Sequence, residues 1–389
     1  MVTLNSAEEA LKTLYLGVVS EQLNTSTNPL YNAIEKTSND VWGKEIVKLV
    51  PFGLNGGISA GDEDGILPTA GGNNYERFTL ELKNLFGKIS ISDKAIRASQ
   101  SSAGSFVNLL NAEMEGLLRA SKFNFGRMLY GDGTGKLATV VSFAENTNPN
   151  VFKVDSVRNL MEGMIIDVYS AGNATVYGRR ILNIDRDQNI VTINGSAGVN
   201  NLLSEGDYIT VQNPFNKELT GLGAIFAKGG KLYGLNKSDY AWLTPYTNEL
   251  STAFTITDVQ KAIDKVEERA GSNINFIVAS SDARRVYLNE LMTERVNVDY
   301  MNLDGGFKAV SYNGIPVVSD RFVPEKTMYL LDTKDFKLHQ LCDWKWLEGA
   351  EGRILNQDAN KATYTATLVK YADLICDRPF GQARITNIG

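Results

Sequence analysis

Two runs of alternating β-type residues flank a stretch that has almost nothing to bury. From Lys44 to Phe52 the pattern is strand-like, through Ile46, Val47, Leu49 and Val50, and from Glu76 to Ser92 it alternates again through Phe78, Leu80, Leu82, Ile89 and Ile91. Between them lies GLNGGISAGDEDGILPTAGGNN, rich in glycine, asparagine and acid. The pattern predicts a long two-stranded arm with a mobile tip. An isolated two-stranded ribbon is marginal in water, so such an arm needs a neighbour to lie on. The same stretch also reads as a disordered surface loop or as the lid of an enzyme.

A second element is as demanding. Ala103 to Tyr130 reads as one helix with Phe106, Leu109, Leu110, Met114, Leu117, Leu118, Phe125 and Leu129 on a broad apolar face, and it stops at Gly131. At 1.5 Å per residue it would run ~40 Å, longer than most globular helices. Ahead of the arm, Ser6-Ala-Glu-Glu9 spells a capping box before Leu11, Leu14, Tyr15 and Val18, so a short amphipathic helix opens the chain and stops before Pro29.

From about Ala138 to Leu222 short β runs alternate with turn signals, which predicts a small β domain inserted into the surrounding one. Beyond it, Thr257-Asp-Val-Gln260 is read as the cap of a helix that stops at Gly271, and Ser280 or Ser281 caps another. Phe276-Ile-Val-Ala279 is a buried-strand run, and Asn313-Gly314 makes a tight turn into Ile315-Pro-Val-Val318. This alternation predicts a compact α+β domain, with Thr363 to Ile388 returning as strands.

The bulk numbers narrow the function. With 389 residues and 43% hydrophobic content the chain can bury substantial cores, and its net charge of -6 offers no basic field for gripping nucleic-acid phosphates. Cys342 and Cys376 are far apart and His339 is the only histidine, so neither a zinc cage nor a disulfide framework is expected, and the cysteine usage suits a reducing compartment. No apolar run approaches the ~20 residues that span a bilayer, and the N-terminus lacks the form of a signal peptide.

Several spellings imitate chemistry. Gly57-Ile-Ser-Ala-Gly61 matches a nucleophile elbow, but its flanks form neither strand nor helix, and a triad would have to use His339. Gly131-Asp-Gly-Thr-Gly-Lys136 resembles a phosphate loop, yet Tyr130 stands where the first glycine belongs and Leu137 replaces the hydroxyl that would hold magnesium. Asp62, Glu63 and Asp64, and separately Asp185, Asp187 and Asn189, resemble calcium-loop fragments that do not continue as an EF-hand does. No acid, base and nucleophile assemble, so no catalytic residue, cofactor or metal is expected.

The order of parts carries a resemblance. An N-terminal arm, a long hairpin loop preceding ISISDKAIRAS, the helix SFVNLLNAEMEGLLRASKFNFGRMLYGDGTGK, and the segments FIVASSDARRVYLNEL and YNGIPVVSDRF together resemble tailed-bacteriophage major capsid proteins of the Hong Kong 97 fold. The resemblance implies an α+β capsid fold with an N-terminal arm at 1–45 and an extended loop at 46–95. It places the spine helix and peripheral domain at 96–137, completed by 350–389, an added β-rich insertion domain at 138–225, and an axial domain at 226–349. It implies assembly contacts in the loop at Phe52, Asp62, Glu63, Asp64, Tyr75, Arg77, Phe78 and Lys83. Structural roles fall to Phe106, Leu110, Met114, Leu117 and Arg119 of the spine helix, and to Gly131, Asp132, Gly133 and Gly135 after it.

The partners implied are further copies of the chain in hexamers and pentamers, a separate scaffolding protein, a portal protein, a decoration protein on the insertion, and packaged double-stranded DNA held by nonspecific contact. The location implied is the virion head shell, assembled in the bacterial cytoplasm. Some members of this class weld subunits through a lysine-to-asparagine bond; Lys83 and Lys88 are the loop lysines available, and ordinary ion pairing is the simpler reading of both. Competing readings are an encapsulin-like compartment shell, a carbohydrate-binding or tail protein built on the β segment, and a nucleotide-dependent enzyme using residues 131–136.

Overall fold

The computed structural model describes residues 28–94, 103–143, 150–170, 172–195, 199, 202–213, 215–293, 300–302, 308–349 and 352–389, without the side chains of 103–111, 300–302 and 308. The predicted helix after Ser6 lies outside the described residues. The chain divides into two compact units, one made of Met1–Gly126 and Ile225–Gly389 and the other of Arg127–Ala224.

The first unit contains two large sheets among the described residues. In the seven-stranded sheet the order is Tyr246–Glu249, Ala383–Thr386, Met328–Leu331, Phe276–Ala279, Ile315–Ser319, Lys308–Tyr312 and Tyr300–Asn302. Phe276–Ala279 is buried at every position because helices cover it, and Val259, Ala262 and Val266 of the helix Ile256–Ala270 join Ala283, Tyr287 and Leu291 of Ser281–Thr293 in one core with Ile277, Val317 and Leu330. The first of these helices starts two residues earlier than its spelling suggests. Thr255, not Thr257, is the N-cap, and the Asp258 carboxylate accepts from the Thr255 backbone N–H at 3.0 Å and its hydroxyl at 2.9 Å. Gly271 ends it in the left-handed conformation, and Asn313 and Gly314, both at positive φ, form the tight turn between Lys308–Tyr312 and Ile315–Ser319.

The other large sheet is built around the fourteen-residue strand Thr363–Cys376, which pairs on one side with Phe336–Trp346 and on the other with Lys83–Ser92. The parallel partner Glu35–Thr37 extends it past Phe336–Trp346. The long helix Ala103–Met128 packs on Lys83–Ser92 at Gly87, where an added Cβ would stand 2.8 Å from Leu117 Cδ1. Any larger residue there would force the Leu117 side chain to shift.

These pairings redraw three ranges. The alternating run from Glu76 to Ser92 is not one strand of an arm: Asn74–Glu81 pairs with Glu45–Phe52, whereas Lys83–Ser92 is bonded over ten registered positions to Thr363–Cys376. Phe336–Trp346 belongs to the sheet of the long strand and not with the strands of 246–331, and Ala383–Thr386 crosses back into the seven-stranded sheet. The chain thus interleaves the two bodies that a partition by sequence separates.

The second unit is a closed barrel in the order Ile190–Ile193, Val151–Val154, Lys136–Phe143, Tyr208–Val211, Ile165–Ser170 and Asn173–Asp185. The thirteen-residue Asn173–Asp185 closes it by pairing with both Ile165–Ser170 and Ile190–Ile193 through shifted registers. Val140, Phe152, Ile166, Val168, Val191 and Ile209 fill the interior.

Candidate assembly surface

The strands Glu45–Phe52 and Asn74–Glu81 form a hairpin whose two faces have different fates. Side chains alternate across a strand, so Ile46, Lys48, Val50 and Phe52 share one face with Leu80, Phe78, Glu76 and Asn74 opposite them. That face is fastened to the chain's own body. Lys48 donates to Asp377 at 2.7 Å, the Tyr240 hydroxyl donates to Glu76 at 3.1 Å, and Phe52 stacks on Trp242 with ring centroids 5.3 Å apart. Phe78 is fully buried between Trp242 and Tyr233. The hydrogen bond to Glu76 favours the neutral phenol and raises the Tyr240 pKa.

Phe52 and Phe78 are therefore corrected from candidate contact residues to anchors of the hairpin. Lys83 also leaves the loop: it is half-buried on Lys83–Ser92, in register with Ala372. Lys88, exposed on the same strand, faces Asp358 at 3.9 Å, the ordinary ion pair that its spelling allowed. Tyr75, Arg77, Asp62, Glu63 and Asp64 are all exposed.

Four further residues belong with them. Leu54, Ile58, Ile66 and Leu67 of the connecting tract are each at least 85% exposed, although the tract reads as having nothing to bury. Four large apolar side chains this open in one connecting tract make it a candidate contact surface. The signal that could have found them was the spacing itself, because single apolar residues inside a glycine-rich loop have no local partner.

Along the long helix Met114 is buried, Leu117 lies over Gly87, and Arg119 is exposed with its Nε donating to Glu115 O at 3.4 Å. Phe106 and Leu110 are helical, and their side chains lie outside the described residues. The loop after the helix is a hydrogen-bonded turn. The amides of Gly131, Thr134 and Lys136 donate to Met128 O, Asp132 Oδ1 and Thr134 Oγ1, so those donors are taken. Gly133 and Gly135 hold positive φ, and the returning chain bonds back through Glu218 N to Gly133 O and Asn216 N to Thr134 O. Arg127 and Glu218 clamp this stem with two hydrogen bonds of 2.7 and 2.5 Å, both side chains buried.

The remaining look-alikes are placed as follows. His339 is fully buried with Nδ1 3.0 Å from Asn39 O, and burial lowers its pKa, while Ser59 on the exposed tract donates to Ala60 O. Asp185 accepts from the amides of Asp187 and Gln188 at 3.0 Å each, which closes the turn between two barrel strands. Among the described residues no group of three His, Cys, Asp or Glu side chains is arranged to hold a metal ion.

No family model and no curated protein matches the chain. Among solved structures, the capsid asymmetric unit of cyanophage A-1(L) superposes with a TM-score of 0.56 at 13% identity, covering 95% of this chain and 92% of that one. The chain has a Hong Kong 97-like capsid fold. Weaker similarity reaches the capsid of a native GTA particle, with a TM-score of 0.47, 13% identity and coverage of 94% and 91%. The holo-SrpI encapsulin complex from Synechococcus elongatus PCC 7942 follows at 0.46, 11% identity and coverage of 93% and 89%.

Proposed function

We propose that this chain is the major capsid protein of a tailed bacteriophage, a structural subunit and not an enzyme, which assembles into hexamers and pentamers that close into an icosahedral head shell around double-stranded DNA. The observation that carries this reading is the hairpin: it is locked to its own subunit by one face, yet projects Leu54, Ile58, Ile66 and Leu67 into solvent. Such a tip is costly to expose and gains stability only when another surface covers it. In a shell, many identical copies supply that surface, and weak contacts acting together hold firmly.

The net charge of -6 suits a wall that meets packaged DNA through nonspecific contact alone. A scaffolding protein and a portal protein are the partners that a closed shell of this kind requires, and the barrel is the place for a decoration protein. The virion head is the corresponding location, with assembly in the host cytoplasm.

The test is electron microscopy of the purified full chain, alone and co-expressed with a candidate scaffolding protein. Closed shells or ring-shaped capsomers are expected. Removing residues 53–73 should leave a folded subunit that forms neither. A chain that stays monomeric under every condition, or shells of normal yield without the tract, would overturn the proposal.

A further inference from the structure

Resting on the assembly reading above, we infer that the open face of the hairpin is the receptor for the acidic, apolar tip of a second copy of this chain. The face turned away from the body carries Trp42 at 74%, Leu49 at 66% and Tyr75 at 56% exposure, apolar side chains left largely open among the described residues. The register sets Leu49 directly opposite Arg77 and Pro51 opposite Tyr75, so the guanidinium rises among these side chains. Among the described residues Arg77 has no carboxylate within ion-pair distance, and Asp62, Glu63 and Asp64 have no cation. The chain therefore presents two surfaces, each mixing apolar groups with one uncompensated sign of charge. They are complementary to each other.

The same face fixes the direction of approach. Glu45 and Glu81 are paired in register at the far end of the hairpin and present like charge to an acidic tip, whereas Arg77 and Tyr75 lie nearer the turn. The incoming tip thus lies across Tyr75, Arg77 and Leu49 and stops short of the glutamates. Donor and receptor are different patches of one subunit, so the contact is head-to-tail, and head-to-tail contacts close into rings when the rotation permits.

Charge exchange in the full-length chain tests the assignment. D62K/E63K/D64K and, separately, R77E should each lower the yield of shells or capsomers about tenfold or more, since one repulsive contact costs at least a tenfold factor in association. Combining all four should restore assembly to well above either variant alone. Unassembled subunits of every variant should keep the parental circular dichroism and melting midpoint, because all four side chains are exposed. A second readout is disulfide trapping: L49C with L67C should give ladders of linked subunits on oxidation of assembled particles, against a parental background in which Cys342 and Cys376 are free. The receptor assignment is wrong if the combined variant is no better than the singles and no ladder forms. If the tract deletion itself still gives normal shells, the broader assembly reading fails instead, so the two failures are told apart.

Discussion

The barrel and the hairpin are both β structures, but they solve the edge problem in opposite ways. The barrel closes on itself, since Asn173–Asp185 pairs with strands on either side and a cluster of apolar residues fills one interior. The hairpin closes nothing: it has one face bolted to the body and one face in water, and its turn is an exposed tract with apolar residues at the surface. A closed element concentrates its free energy inside the subunit. An open one leaves apolar area in water, and on the proposed function the difference separates substitutions that unfold from those that only prevent assembly.

The comparison breaks most sharply at the stem of the barrel. Arg127→Met leaves the buried Glu218 carboxylate unpaired, which should cost about 3–5 kcal/mol. Urea denaturation with hydrogen exchange of the barrel amides measures it. Adding Glu218→Leu should recover most of the loss, because two apolar groups in place of a buried ion pair are nearly neutral. If the double variant is as unstable as the single, the clamp acts through shape and not through charge.

Next in size is a matched pair of truncations. Phe152→Ala in the barrel interior should cost about 3–5 kcal/mol of stability. Leu54→Ser at the hairpin tip should stay within about 0.5 kcal/mol of the parent, as exposed positions do, and yet reduce shell yield. Equal effects on melting from the two would erase the distinction between closed and open elements. Between them lies Trp242→Ala, which removes the ring shared by Phe52 and Phe78 and should cost about 0.5–1.5 kcal/mol per aromatic pair lost. Its signature is local: faster amide exchange in Glu45–Phe52 and Asn74–Glu81 than in the barrel strands.

How far these regions could be read from the amino acids follows from the range of the forces that make them. The long helix, the Gly271 stop and the Asn313-Gly314 turn depend on neighbours a few residues away, and their spellings suffice. Strand partners do not. Lys83–Ser92 looks like a continuation of Asn74–Glu81 because both alternate, and only the ten-residue register with Thr363–Cys376, nearly three hundred positions on, separates them. Phe52 and Phe78 look like ideal contact residues for the same reason: an aromatic ring is equally suited to a partner or to its own Trp242, and the sequence distance hides which. Lys370 is the strongest case. In a β run a lysine is expected to face water, yet it is fully buried, donating to Asp343 at 2.6 Å and Gln340 at 2.8 Å on the adjacent strand.

The smallest effect sharpens what happens where the chain re-enters the body after the barrel. Lys237, almost fully buried, donates to Ile225 O at 2.6 Å and Ala227 O at 2.7 Å, while Arg384 donates to Phe226 O at 3.2 Å. Three consecutive carbonyls are thus held by two cations. Burial, assisted by repulsion from Arg384, lowers the Lys237 pKa from 10.5 to about 8. Between those two values the unfolded chain binds more protons than the folded one, so this group adds stability as pH rises from about 8 to 10.5. Melting of the parent compared with Lys237→Met across that window isolates the contribution, since every other titrating group is common to both. The parent should gain stability relative to the variant as pH rises and plateau above 10.5. A difference that stays flat with pH would mean that Lys237 holds the segment through its hydrogen bonds alone, with no cost for burying its charge.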